Sequence, residues 1–369
     1  MPCIERFLHE DCQVNRQKTV IVGMSGGVDS SVAALLLKQQ GYRVIGCFMK
    51  NWEEKDSKGA CRASIDYEDV IRVCEHLGIS YYSVNFVQKY WDRVFTVFIE
   101  DVKKGFTPNP DILCNKEIKF KAFLEKAREM GGDYLATGHY CRIREEDGEY
   151  QLMRGVDRNK DQSYFLYTIK SQKLKNVLFP LGEMTKSQVR RIAREHRLPT
   201  SEKKDSTGIC FIGKRDFKTF LNRYIDFAPG HFETTQKQIV GRHDGMPFYT
   251  IGQRKGLGIG GPGEAWYVVG KDRERNVVIV EQGADHPALF SRQLAAADLS
   301  WVSPKGLSCC PFPCQSKIRY RQSDAACIIQ EIDNGSAKVE WASPQRAVTP
   351  RQSIVFYDGE VCLGGGIIS

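Results

Sequence analysis

Between residues 18 and 138, short apolar runs alternate with stripes of apolar residues at helical spacing. Thr19 to Val22, Arg43 to Met49, Ser80 to Val84 and Tyr134 to Thr137 read as strands. Between them, Val32, Leu35 and Leu36 recur at helical period before a stop at Gly41, and Val70, Val73, Cys74 and Leu77 do so before Gly78. Trp91 to Val102 makes a longer apolar-faced run. This alternation predicts an α/β fold with a parallel sheet, in which ligands sit beyond the carboxyl ends of the strands. Ser25 to Ser30, Met49-Lys50-Asn51 and Gly138-His139 all fall at such ends, so three loops are expected to converge on one crevice.

After His139 the pattern changes, and one segment before it stands out. Two prolines, Pro108 and Pro110, predict a non-helical strap, followed by a helix over residues 116 to 130 with Ile118, Phe120, Phe123, Leu124 and Ala127 as its buried stripe. Arg142 to Met153 reads as a hairpin around Asp147-Gly148, and Thr185 as the cap of a basic amphipathic helix through Arg197. From Lys214 to Gly283 the chain is rich in glycine and short strands. Beyond it, runs at Val278 to Glu281 on the border, Gln315 to Tyr320, Ala326 to Ile332, Ala337 to Trp341 and Ser353 to Tyr357 suggest a small β-barrel. The expected domains are therefore residues 1–213, 214–283 and 284–369.

Composition adds limits to this outline. At 369 residues there is material for two or three cores. No apolar run approaches a membrane span, and residues 1 to 17 lack a signal-peptide core, so a cytoplasmic protein is expected. Thirteen cysteines without a CxxC pair point to reduced thiols rather than a disulfide framework. The net charge of +8 suits a polyanionic partner, with no basic tail to hold it.

The candidate chemistry begins at Gly23, Met24, Ser25, Gly26, Gly27, Val28, Asp29 and Ser30. A strand that ends in a glycine- and serine-rich turn and reopens as a helix aims several backbone N–H groups at one spot, an anion site. Asp29 is placed to position Mg²⁺ beside phosphates. The turn lacks the Lys-Ser/Thr pair of a Walker loop, and it matches SGGxDS, the PP-loop of ATP pyrophosphatases.

Cys114, with Asp111 three residues before it and Lys116 nearby, is a plausible nucleophile near a helix start; a packed core cysteine is the competing reading. Cys210 lies between Gly208 and Gly213 with lysines close by, as on a mobile, electropositive loop, although a short buried strand over Ile209 to Ile212 would also hold it. Tyr249 to Gly261 is an adaptable loop in which Arg254 and Lys255 could meet phosphates, or a plain solvated one. Lys317, Arg319 and Arg321 alternate with apolar residues, which on a strand would make one basic face, for nucleic acid or as the solvated outside of the barrel. Cys309, Cys310 and Cys314 fit no ordinary zinc spacing, and no metal site is expected.

Taken together, the PP-loop, Thr107 to Phe120, Gly138 to Tyr140, Lys160 to Leu166, Asp205 to Gly213, Tyr249 to Gly261 and Lys317 to Gln322 resemble the tRNA-specific 2-thiouridylase family along nearly the whole chain. The resemblance implies an N-terminal PP-loop ATP pyrophosphatase domain, a small central domain and a C-terminal β-barrel. It implies ATP-dependent replacement of the 2-oxygen of the wobble uridine by sulfur in the tRNAs for lysine, glutamate and glutamine. The PP-loop residues, Met49 and Gly138 would bind ATP with its Mg²⁺. Asn109, Pro110 and Asp111 would meet the target base, and His139, Lys160, Asp161, Gln162, Arg319, Tyr320 and Gln352 the rest of the tRNA. Cys210 would carry a persulfide, with Cys114 as its partner in a transient disulfide. A sulfur-donor protein, a cysteine desulfurase or relay carrier, would charge it. A different tRNA thiolase, an amidating PP-loop synthetase and a non-catalytic RNA-binding protein stay open as alternatives.

Overall fold

A computed structural model describes residues 15–53, 62–205 and 217–369. Strand β1 (Thr19–Met24) leads into helix α1 (Val28–Gln39), then β2 (Arg43–Lys50), α2 (Arg62–Leu77) and β3 (Ser80–Asn85). Helix α3 (residues 87–103) and helix α4 (residues 110–129) precede β4 (Tyr134–Ala136). All four predicted strands are present. A hairpin of β5 (Cys141–Glu146) and β6 (Glu149–Arg154) follows, turning at Asp147 and Gly148 with φ of 51° and 76°, before the short β7 (Val177–Leu178). Helix α5 (Lys186–Glu195) starts at Thr185, whose side chain forms a capping box with Gln188.

The first sheet is parallel, in the order β3-β2-β1-β4-β7. Strand order reverses between β1 and β4, which opens a crevice at their carboxyl ends. The alternation of β1 fixes its two faces. Val20, Val22 and Met24 pack in one apolar cluster, and Ile21 points into the other, with the buried residues of α3 and α4.

The central sheet is formed by β8 (Gly230–Glu233), β9 (Ile239–His243), β10 (Trp266–Asp272) and β11 (Val277–Gln282), ordered β10-β11-β8-β9. The last unit is a closed barrel of six strands: β12 (Phe290–Trp301), β13 (Phe312–Lys317), β14 (Ala325–Asp333), β15 (Ser336–Arg346), β16 (Ser353–Asp358) and β17 (Val361–Ile368). Closure comes from pairing of β12 with β17. Strand β6 also pairs with β17, so the hairpin from the first unit is stitched onto the barrel. Arg154, 1% exposed, reinforces the seam: it reaches Asp324 at 2.8 Å and lies over the Tyr357 ring.

Two expectations need correction. Helix α4 begins at Pro110, not at residue 116, because proline suits the first helical position and the Asn109 side chain caps it by accepting from the Asp111 N–H. The basic run does not form one strand face. β13 ends at Lys317, and the chain turns with Arg321 at φ 64°. Lys317 is buried near Asp324, and Arg319 donates to the Ile251 and Ala347 carbonyls. No helix of the described residues is long and apolar enough to cross a membrane.

Candidate active site

The turn after β1 is shaped by two close approaches. Gly26 has φ of 70°, and a Cβ there would lie 2.5 Å from the Asp66 carbonyl oxygen. Gly138, at the end of β4, presses on the same turn: its Cβ would lie 2.8 Å from the Asp29 carbonyl carbon and the Ser30 nitrogen. Both positions therefore require glycine. Met24 and Val28 are buried, so they contribute backbone to the crevice, while Ser25 is exposed. Ser30 Oγ accepts from the Ser25 N–H and donates to the Gly27 carbonyl; Ser31 Oγ does the latter as well. Gly27 caps α1 without a side-chain partner, leaving the first helical N–H groups available to an anion. Met49 is buried at the end of β2, its Sδ-methyl 3.7 Å from the Cβ position of Gly23. Beside it, Asn51 is 1% exposed and its Oδ1 has no hydrogen-bond partner among the described residues. A glycine-lined phosphate turn with an orphaned amide acceptor nearby fits an adenine nucleotide.

Asp29 has a different partner from the one its sequence suggests. Lys186 Nζ donates to its two carboxylate oxygens at 2.7 and 2.8 Å, and the Tyr140 hydroxyl donates to Oδ1 at 2.8 Å. With an ammonium already on it, Asp29 does not fit as a Mg²⁺ ligand. Lys186 also meets Asp205 at 2.8 Å, and Lys160 and Arg190 converge on the same carboxylate. Burial raises the Asp205 pKa, but the hydrogen bonds from Lys160 and Lys186 outweigh it and hold the carboxyl well below its usual range. Lys203 bridges Asp66 and Asp69 on α2. In the sequence, Tyr140 and Asp205 stand only as members of longer blocks, and Lys186 stands in none. The one available signal was a lysine directly after the cap of a helix whose partners lie at the PP-loop.

Helix α4 carries the thiol side of the crevice. Cys114 is fully buried, one turn inside the helix, among the residues of the larger apolar cluster. Neighbouring Asn115 donates to the Phe165 carbonyl at 3.2 Å, and its buried Oδ1 has no partner among the described residues. Phe123 of α4 packs on the PP-loop strand, 3.1 Å from the Cβ position of Gly23. Lys119 Nζ stands 3.5 Å from His139 Nε2, and His139 Nδ1 pairs with Thr137 Oγ1 at 2.8 Å. Burial, and then Lys119, push the His139 pKa far down, so the ring is neutral. Cys210 and its flanking residues from Ser206 to Gly213 lie outside the described residues.

The expected tRNA contacts divide into groups. Asp161 is turned inward, accepting from Gly155 N, Ser163 N and Ser163 Oγ, and Gln162 accepts from the Tyr140 N–H at 3.0 Å. Lys160 is partly exposed on the Asp205 cluster. Tyr320 packs on Phe165 with ring centroids 4.7 Å apart. Gln352, from the barrel, donates to the Thr107 carbonyl at the strap that leads into Asn109-Pro110-Asp111. That strap is held from two sides: Arg273 of the central unit and Arg351 of the barrel lie over Phe106 at 4.4 and 5.3 Å, and Arg351 also pairs with Asp101.

Three family models match in tandem: a tRNA methyl transferase HUP domain over residues 18–214, a tRNA methyl transferase PRC-barrel domain over 218–282, and an aminomethyltransferase beta-barrel domain over 291–368. The tRNA-specific 2-thiouridylase MnmA of Protochlamydia amoebophila is 63% identical over 356 residues, covering 96% of this chain and 94% of that protein. The protein of the same name from Bacillus subtilis is 56% identical over 349 residues, covering 95% and 94%. That from Staphylococcus aureus is 55% identical over 356 residues, covering 96% of each chain.

Proposed function

The chain belongs to the tRNA-specific 2-thiouridylase family, and on that premise we propose that it exchanges the 2-oxygen of the wobble uridine, position 34, for sulfur in the tRNAs for lysine, glutamate and glutamine. It is a sulfurtransferase that thiolates uridine in tRNA, built on a nucleotide-binding fold. The remaining steps follow from the chemistry of the groups in the crevice.

A carbonyl oxygen is a poor leaving group. Attack of uridine O2 on the α-phosphorus of ATP turns it into an adenylate and releases pyrophosphate; sulfur then adds at C2 and AMP departs. The N–H groups at the start of α1 and the Ser25 hydroxyl hold the phosphates as charge develops on them. Asn109, Pro110 and Asp111 present the base, and Asp111 handles its proton. Sulfur arrives as the terminal atom of a Cys210 persulfide, charged by a sulfur-donor protein. Either that atom attacks C2 directly, or Cys114 attacks the persulfide and frees hydrosulfide; both routes can end in a Cys114–Cys210 disulfide that a dithiol reduces. A reducing, cytoplasmic setting suits this cycle.

One observation carries the reading: α4, with Asp111 and Cys114, packs through Phe123 directly on the PP-loop strand and through Lys119 on His139 beside Gly138. The PP-loop strand and the helix that carries Asp111 and Cys114 thus share one packed body. The test is incubation with ATP, Mg²⁺, a persulfide donor and unmodified tRNA, followed by mass analysis of the nucleosides. Appearance of 2-thiouridine at the wobble position, with stoichiometric pyrophosphate, is expected. Unchanged uridine would overturn the proposal.

A further inference from the structure

Cys314 on β13 and Cys327 on β14 are direct partners in the antiparallel register, and their sulfur atoms stand 3.5 Å apart. Neither belongs to the crevice. We propose that these two thiols are a site of reversible oxidation, closing a disulfide across the barrel wall when the protein meets a hydroperoxide.

The ladder already satisfies the backbone requirement. Directly opposed residues in an antiparallel pair have Cα atoms roughly 4.5 to 5.5 Å apart, inside the span a disulfide bridges. Bond formation then needs side-chain rotation to bring the sulfurs to about 2.05 Å, with no strand movement. The surroundings divide the roles of the two sulfurs. The two thiols share a hydrogen bond in which either sulfur can donate, and this contact draws the Cys327 pKa below its ordinary value against the opposing effect of burial. Beside the pair, the Ser316 hydroxyl accepts from the Trp341 indole N–H at 2.7 Å and donates to the Ala325 carbonyl at 3.4 Å. Burial instead pushes Cys47 up to about 12, Cys74 to about 11, and Cys141 well above the usual range.

In the reaction, the Cys327 thiolate attacks one peroxide oxygen. The O–O bond breaks, hydroxide or an alkoxide leaves, and Cys327 becomes a sulfenic acid. Cys314 sulfur then attacks Cys327 sulfur; the S–O bond breaks, and the thiol proton leaves with the hydroxyl as water. Two thiols lose two electrons and the peroxide gains them. The closed ring encloses the turn that carries Arg319 and Tyr320, and a dithiol reopens it.

The test uses the full chain. Protein is exposed to a modest excess of hydrogen peroxide, free thiols are alkylated, and tryptic peptides are weighed. Trypsin cuts at Lys317, Arg319 and Arg321, so Cys314 and Cys327 fall on different peptides. The expected result is a cross-linked pair 2 Da lighter than the sum of its parts, abolished by dithiothreitol. Because Cys309 and Cys310 are exposed and share a tryptic peptide with Cys314, the same map is run on Cys314→Ser. Loss of the cross-link there supports the pair. Its persistence, or full alkylation of Cys327 in the wild type while Cys309 and Cys310 oxidise, overturns the proposal.

Discussion

Lys271 Nζ donates to the carbonyl oxygen of Gly105 at 2.7 Å, joining the central sheet to the strap that feeds the candidate target-base loop. Burial pushes the Lys271 pKa down to about 7. Unfolded, this lysine holds its proton up to about pH 10.4. Between the two values the unfolded chain binds the extra proton, so this residue makes stability rise with pH from about 7 to about 10, and adds no slope below 7. Melting temperatures from pH 6 to 9 should therefore climb more steeply for the wild type than for Lys271→Met. Parallel curves would refute the coupling.

Gly138→Ala should disable the nucleotide site while sparing the fold. The added methyl meets backbone atoms of Asp29 and Ser30, which cannot swing aside as a side-chain tip would. Overpacking of this kind costs roughly 1 to 3 kcal/mol. Calorimetric titration with ATP should show affinity falling by about 5- to 150-fold if that cost falls on the bound state, with the far-ultraviolet spectrum unchanged.

Removing the ammonium between Asp29 and Asp205 should hurt more than removing a surface charge. Lys186 is only 14% exposed at its side chain, and Lys186→Met would leave Asp29 with Tyr140 alone while Asp205 keeps Lys160 and Arg190. A loss of about 1.5 to 3 kcal/mol is expected for charge-assisted hydrogen bonds of this type. Urea unfolding measures it, and the double variant with Asp29→Asn should recover part of the loss. A value within error of wild type would mean the pair is a passive contact.

The two halves of the proposed chemistry should separate on mutation. Cys114→Ser is expected to abolish thiolated product yet leave tRNA-dependent pyrophosphate release within a few-fold, since the adenylation step does not use the thiol. Product formation and pyrophosphate can be followed in the same reaction. Equal loss of both would assign Cys114 to positioning the base instead.

What could be read from the sequence, and what could not, follows from the range of the interactions. Strands such as Thr19–Met24 are continuous buried runs between turn residues, a local signal, and the hairpin turn at Asp147-Gly148 is local as well. The loops at the strand ends did converge, because a parallel sheet requires it. The partner of Asp29 did not show, since Lys186 is 157 positions away and the bond depends on how α5 packs beside α1. Strands β12 and β17 were missed because Phe290–Trp301 carries a run of alanines, and Val361–Ile368 a run of glycines, in place of a clean alternation. Arg319 looked like a nucleic-acid side chain, but its guanidinium also tethers the loop at Ile251 to the barrel. Composition cannot tell these uses apart.

The pairing of β6 with β17 bears on how the molecule can be dissected. A fragment ending near residue 213 would retain the PP-loop and Cys114, yet it would leave β6 without the Val361 and Cys362 partners and Arg154 without Asp324. A hairpin strand with an unpaired ladder and a buried arginine stripped of its carboxylate invites self-association. The domain borders suggested by sequence are thus unsuited as cloning borders, and a fragment that keeps β6 paired must include the C-terminal six-stranded barrel.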